Sequence, residues 1–255
     1  MKSRKIKLLI CLIAILADFI MCTRDNRHQR PRQLIETGSS FHLFIRNTVA
    51  NVDVMYDTIY HGATSRKFKV TDFRYYISNI RAIREDGAEN RTKQSVILAN
   101  PRQKDYNLGS LPEGVYNGLR FTLGLDSVTN HGDPTVFEAG NPLAIQTPSM
   151  HWDWNSGYLF MKIEGKVDTT SKGTGAPVTE FFYHFGMDTM KRTISVPIKF
   201  SVSASSNNGV HLKFDLGFMF AGVDMRSEFS THSFDNQPLA VRMADRWQGA
   251  FSPDN

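Results

Sequence analysis

Residues 68–83 read FKVTDFRYYISNIRAI, and the fold turns on how this stretch is read. Val70, Phe73, Tyr75, Ile77, Ile80 and Ile83 recur near every second position, with Ser78-Asn79 as a local break. Period-two spacing of β-branched and aromatic residues marks a strand with a buried face. The same texture extends on both sides. Phe41, Leu43 and Ile45 alternate with His42, Phe44 and Arg46, and Val52, Val54 and Tyr56 keep that spacing. Further strands are expected at 94–98, 116–125, 157–165, 179–186, 193–204 and 210–220, separated by turn signals such as Asp86-Gly87 and Asn207-Asn208-Gly209. About nine or ten strands with short turns, and no helical crossovers, predict an all-β antiparallel sandwich. One short C-terminal helix is expected over 238–251, where Leu239, Met243, Trp247 and Phe251 form an i, i+4, i+8, i+12 stripe behind Pro238.

Composition agrees with one well-filled domain. The chain has 255 residues, 41% hydrophobic and 22% charged, which excludes a disordered or polytopic membrane protein. The first segment is set apart. Lys2, Arg4, Lys5 and Lys7 precede an apolar run over 8–21 broken only by Asp18, and the chain then turns polar. This is the layout of an export signal, shorter than the roughly 20 residues a spanning helix needs. Residues 1–22 are therefore read as a signal or lipoprotein-type segment, and 23–38 as a polar tether. Residues 39–255 form the sandwich domain. Cys22 stands where a bacterial lipoprotein carries its acylated cysteine, behind the bulky Phe19, Ile20 and Met21. Cys11 and Cys22 are the two cysteines of the chain, so the exported domain is expected to fold without a disulfide. Leaving out residues 1–21 lowers the net charge from +5 to about +2. With no basic stripe, nucleic acid is not an expected partner. The expected place is outside the cytoplasm, in the periplasm or as an outer-membrane or cell-surface lipoprotein, with membrane contact through a lipid anchor alone.

Chemistry is sought in the segment that breaks the strand rhythm. Residues 126–154 are a long loop, and long loops in compact domains are often functional. It holds Asn130-His131-Gly132-Asp133-Pro134 and Met150-His151-Trp152-Asp153-Trp154, and a later strand carries Tyr183-His184-Phe185-Gly186. No nucleophile elbow, phosphate loop or helix-spaced zinc signature occurs. Imidazole suits copper or zinc, and a thioether such as Met150 favours Cu(I). Asp133 is a candidate second acceptor behind His131. The bland readings stand beside these. Asn, Gly, Asp and Pro are also turn residues, and Trp152 and Trp154 are of the size that anchors sandwich cores.

With these motifs in order, the sequence resembles the MbnP-like family, exported proteins related to the methanotroph copper proteins MopE and CorA. The resemblance rests on Phe73-Arg74-Tyr75-Tyr76-Ile77-Ser78-Asn79-Ile80, on Gly124-Leu125-Asp126 followed by Asn130 to Pro134, on Asn141-Pro142-Leu143 with Met150 to Tyr158, and on His184-Phe185-Gly186. It covers most of the chain after the tether. It implies a non-catalytic copper-binding protein with His131 and His184 as imidazole ligands. Asp133, Met150, His151, Trp152 and Trp154 would be neighbours of the copper ion. In the relatives an oxidised tryptophan completes the site, and a di-haem peroxidase is the partner that makes it. That tryptophan aligns with Thr129 here, a departure that leaves Trp152 and Trp154 as the residues open to oxidation. The alternative expectation is a metal-free cell-surface sandwich that displays its loops to a partner.

Overall fold

The computed structural model describes residues 39–62, 66–152, 156–204 and 207–254. The export segment with Cys11 and Cys22, the tether, and Trp154 lie outside the described residues.

The stretch that decides the fold is the spine of the larger sheet. It forms β4 (Lys67–Arg84), which pairs with β8 (Gly114–Leu123) on one side and β9 (Met161–Val167) on the other. The sheet runs outward through β11 (Arg192–Val202) beyond β8, and through β10 (Thr179–Phe185) and β13 (Ser230–Thr231) beyond β9. Three short strands, β3 (Ile59–His61), β5 (Glu89–Arg91) and β6 (Val96–Ala99), also pair with β4. The smaller sheet has β1 (Ser39–Val49) between β12 (Asn208–Asp215) on one side and β2 (Val52–Asp53) and β7 (Asp105–Leu111) as further partners, with β14 (Phe251–Pro253) beyond β12.

Eighteen residues are too many for one regular strand, and β4 is bulged. Its register with β9 shifts between Val70 and Asp72, and with β8 between Ser78 and Arg81. Each bulge moves the inward face by one residue. Phe68 and Val70 point inward before the first bulge, Phe73 and Tyr75 after it, and all four are fully buried. The Ser78-Asn79 break is the second bulge. Asn79 takes φ 52°, and its side-chain oxygen accepts from Arg81 Nε and Arg91 Nη2 at 3.2 and 2.7 Å. The core is aromatic. Tyr75 of the large sheet stacks on Phe214 of the small one at 5.0 Å, Phe251 meets Phe214 edge-on at 4.8 Å, and the Tyr75 hydroxyl donates to Asn47 at 2.8 Å.

The β-sandwich is as expected, with four corrections to its detail. The sheets are mixed: β1 runs parallel to β12, and β10 parallel to β13. These partners are far apart in the chain, so no hairpin forces them antiparallel. Fourteen strands occur among the described residues, where nine or ten were expected. Most of the extra ones have two to four residues, too few to show a period. The strand expected over 210–220 ends at Asp215, and Leu216–Phe220 is a helical turn, capped by the Asp215 carboxylate on the Gly217 amide. The C-terminal helix is interrupted. It runs over Gln237–Ala244, breaks at Asp245 and Arg246, resumes over Trp247–Ala250 and passes into β14. The stripe residues Leu239, Met243, Trp247 and Phe251 are all buried nonetheless.

The long loop is a second layer on the outer face of the larger sheet. Leu143, Met150 and Tyr158 are buried there. The Tyr76 hydroxyl, on the outward side of β4, donates to the Pro142 carbonyl at 3.0 Å, and the Tyr76 and Tyr158 rings meet edge to face at 5.6 Å. That cover buries Tyr75, Tyr76 and Ile77 in succession, where a one-sided strand would expose every second residue. No helix among the described residues is long and apolar enough to cross a membrane.

Candidate metal centre

Strand alternation places His184. Tyr183 and Phe185 of β10 face the core, so His184 between them faces outward. In register beside it stand Lys162 of β9 and Arg74 of β4; one step along, Phe182, Glu164 and Asp72 share a row. The result is a chain of alternating charge across three strands. Arg74 pairs with Asp72, Lys162 lies 3.2 Å from Asp72 and 3.0 Å from Glu164, and His184 Nε2 donates to Glu164 Oε1 at 2.9 Å. Lys162 is buried, and two carboxylates compensate it, as a buried ammonium requires.

The opposite ring nitrogen of His184, Nδ1, is buried with no hydrogen-bond partner among the described residues. A buried polar atom left unpaired costs about 1–3 kcal/mol and calls for an explanation. Glu164 fixes the tautomer: Nε2 carries the proton and Nδ1 keeps its lone pair. This is the state in which a carboxylate-backed imidazole binds a metal. An imidazole lone pair suits copper or zinc, although no group of three or more His, Cys, Asp or Glu side chains placed to hold a metal ion occurs among the described residues.

Glu164 is tuned by the same contacts. Burial raises its pKa more than any other single effect, but the hydrogen bonds and charges of His184 and Lys162 together outweigh it and hold the pKa at about 2, below the ordinary 4.5. A depressed folded-state pKa gives stability that is complete above the unfolded value and lost as pH falls through the folded one. Glu164→Gln is therefore expected to cost about 1–2 kcal/mol at neutral pH. The difference between wild type and variant should close as pH falls from about 4.5 toward 2. Urea unfolding at a series of pH values checks this, and a gap that stays constant through that range would refute it.

Three ties hold the end of β10. The Ser233 hydroxyl donates to the His184 carbonyl at 2.9 Å and accepts from the Gly186 amide at 3.0 Å. The Trp152 ring lies on Gly186, where an added Cβ would come within 2.6 Å of it. Trp152 also packs against Phe234 at 5.1 Å. His232, next to Ser233, brings its ring centroid to 5.0 Å from that of His184.

His131 is placed differently. It is the C-cap of the short helix Ser127–Asn130, whose N-cap is Asp126. Its Nε2 lies 3.6 Å from Asp188 Oδ2, and its side chain is 43% exposed. Among the described residues no hydrogen bond, ion pair or ring contact joins His131 to His184. Asp133, expected behind His131, instead caps the 3-10 turn Pro134–Val136 through the Thr135 amide and hydroxyl. Pro134 at its start favours that turn, and the carboxylate beside His131 is Asp188. Met150 is buried in the loop layer, and the His151 ring meets Tyr158 edge to face at 4.8 Å.

The three motifs converge through Asn130. Its side-chain oxygen accepts from the Tyr158 amide and its nitrogen donates to Asp188 Oδ1, both at 2.9 Å. Gly157 fits against it with φ 74°, where a Cβ would come within 2.5 Å of the Asn130 carbonyl. Sequence reasoning missed Glu164, Asp188 and His232. Glu164 carried a signal, a charged residue inside an alternating strand. His232 carried another, its three-residue spacing to Asp235.

The fold defines the class, a two-sheet β-sandwich, and on the outer face of its larger sheet His184 is backed by the Glu164 carboxylate. The MbnP family model matches residues 38–237, and the chain belongs to the MbnP family. Among solved structures, MbnP from Methylosinus trichosporium matches with a TM-score of 0.56 and 15% identity, over 80% of this chain and 86% of that one. That likeness is one of fold. No curated protein sequence matches the chain. Family membership suggests a metal-related role.

Proposed function

We propose that this is an exported, non-catalytic protein that holds or delivers copper. The observation that carries the reading is the buried lone pair on His184 Nδ1, set by the Glu164 hydrogen bond on the other side of the ring. His184 is a ligand, and His131 supplies a second imidazole when its contact with Asp188 is exchanged for the ion. Trp152 walls the site, packed on Gly186 just past the end of β10. With threonine at position 129, Trp152 and Trp154 are the tryptophans open to oxidation by a haem peroxidase partner. Cys22 anchors the exported chain to the membrane by a lipid. When bound, the ion is stored in or passed on from this site; the residues bind and orient it and exclude water.

Cu(I) competition against a chromophoric chelator tests the reading. One equivalent is expected to bind. Replacing both His131 and His184 by Ala should weaken binding at least 100-fold, since loss of an outer-shell partner alone typically costs about 10–100-fold. An unchanged affinity in the double variant would remove the assignment. The carboxylate partners of both histidines favour a second reading, a metal-free cell-surface module in which these pairs only hold the sheet face together. It predicts no copper in the native exported protein from copper-replete cells.

A further inference from the structure

Two histidines meet at the open edge of the larger sheet. His184 is the penultimate residue of β10, and His232 directly follows β13, the edge strand paired in parallel with β10. Their ring planes lie at 83°, with centroids 5.0 Å apart. A carboxylate holds each ring through one nitrogen. His184 Nε2 donates to Glu164 at 2.9 Å, and His232 Nδ1 donates to Asp235 at 2.8 Å. Each imidazole therefore keeps a lone pair on the nitrogen its carboxylate does not use. On His184 that is Nδ1, buried and without a hydrogen-bond partner among the described residues. On His232 it is Nε2, which makes no hydrogen bond among the described residues.

We infer that His232 is a ligand of the same copper ion as His184, with Asp235 and Glu164 as the carboxylates that orient the two rings. This rests on the copper reading given above. Metal–nitrogen bonds of about 2.0–2.1 Å put two imidazoles on one ion roughly 5 to 6.5 Å apart, centroid to centroid. The observed 5.0 Å is at the bent, tetrahedral end of that range. The backbone supports the pairing. Ser233, fully buried with φ 71°, bonds both the His184 carbonyl and the Gly186 amide, and so fixes the turn that carries His232 against β10. Burial divides the roles. His184 is 11% exposed and holds the ion from within, whereas His232 at 42% is the side from which the ion enters and leaves.

The test uses the whole exported chain with copper alone. In pulsed electron paramagnetic resonance of the Cu(II) form, His232→Ala should show one coupled imidazole nitrogen fewer than wild type, and Cu(I) affinity should fall at least tenfold. His232→Gln can still donate to Asp235, so it separates ligation from anchoring of the turn, and it should lose the same nitrogen. Asp235→Asn should keep the nitrogen and weaken affinity less. If His184→Ala removes copper while both His232 variants keep the wild-type spectrum and affinity, the inference is overturned and the copper reading stands. If His131→Ala removes that nitrogen in place of the His232 variants, the inference is likewise overturned. If wild type takes up no copper, both fall together.

Discussion

Trp247→Ala should lower stability by about 3–5 kcal/mol, as large-to-small changes at fully buried aromatics do. Trp247 is completely buried and meets Phe185 edge to face at 5.3 Å, behind the strand that carries His184. For a domain of this size each kcal/mol shifts the melting temperature by roughly 2–4 °C, so a fall on the order of 10 °C is expected. The indole also carries a cost, because its buried N–H has no acceptor among the described residues. Trp247→Phe removes that orphan while filling most of the volume, and should cost less than half as much. Calorimetry of the two variants decides. Equal losses would show that the indole N–H is satisfied in solution, by water or otherwise. Trp247 lies on the core side of the sheet, so the folded Ala variant should leave the proposed copper site intact.

The second large effect is at Asn130. Replacing it by Ala strands the buried Tyr158 amide and removes the donor to Asp188. Two such losses amount to about 2–4 kcal/mol. The damage should also be local, since Asn130 is where the loop, the start of β9 and the turn after β10 are tied. Hydrogen exchange is expected to quicken over 127–136 and 156–160 before the sheets themselves open. Asn130→Asp sharpens the point. It keeps an acceptor for Tyr158 but faces a carboxylate toward Asp188, so it should be less stable than Asn130→Ala at neutral pH. It should recover as pH falls through the carboxylate range, because protonation removes the like-charge repulsion. An Asp variant as stable as wild type at pH 7 would show that the Asp188 contact contributes nothing.

The stripe of Leu239, Met243, Trp247 and Phe251 shows how sequence reading succeeds and where it stops. All four are buried, as their spacing implied, yet the helix breaks at Asp245 and Phe251 becomes a strand residue opposite Phe214. Periodicity reports which side chains avoid water. It does not report whether the backbone between them stays helical when a sheet edge offers other partners. In the same way, the residues of β4 were legible as a strand, but the two bulges that move its inward face were visible only as the Ser78-Asn79 break.

The sequence by itself determined the all-β class, the apolar faces of the long strands, the loop over 126–154 as the place to look, and the ordered motifs that mark the family. These are local properties, written in the alternation of neighbours and in short spacings. Tertiary structure alone decided which groups meet. Residues 72, 162, 164, 184 and 232 come together because β4, β9, β10 and β13 lie side by side, two of them in parallel. It also gave His131 to Asp188, turned Asp133 to a helical cap, and left Nδ1 of His184 without a partner among the described residues. Strand order and register join residues far apart in the chain, and no local pattern encodes that pairing.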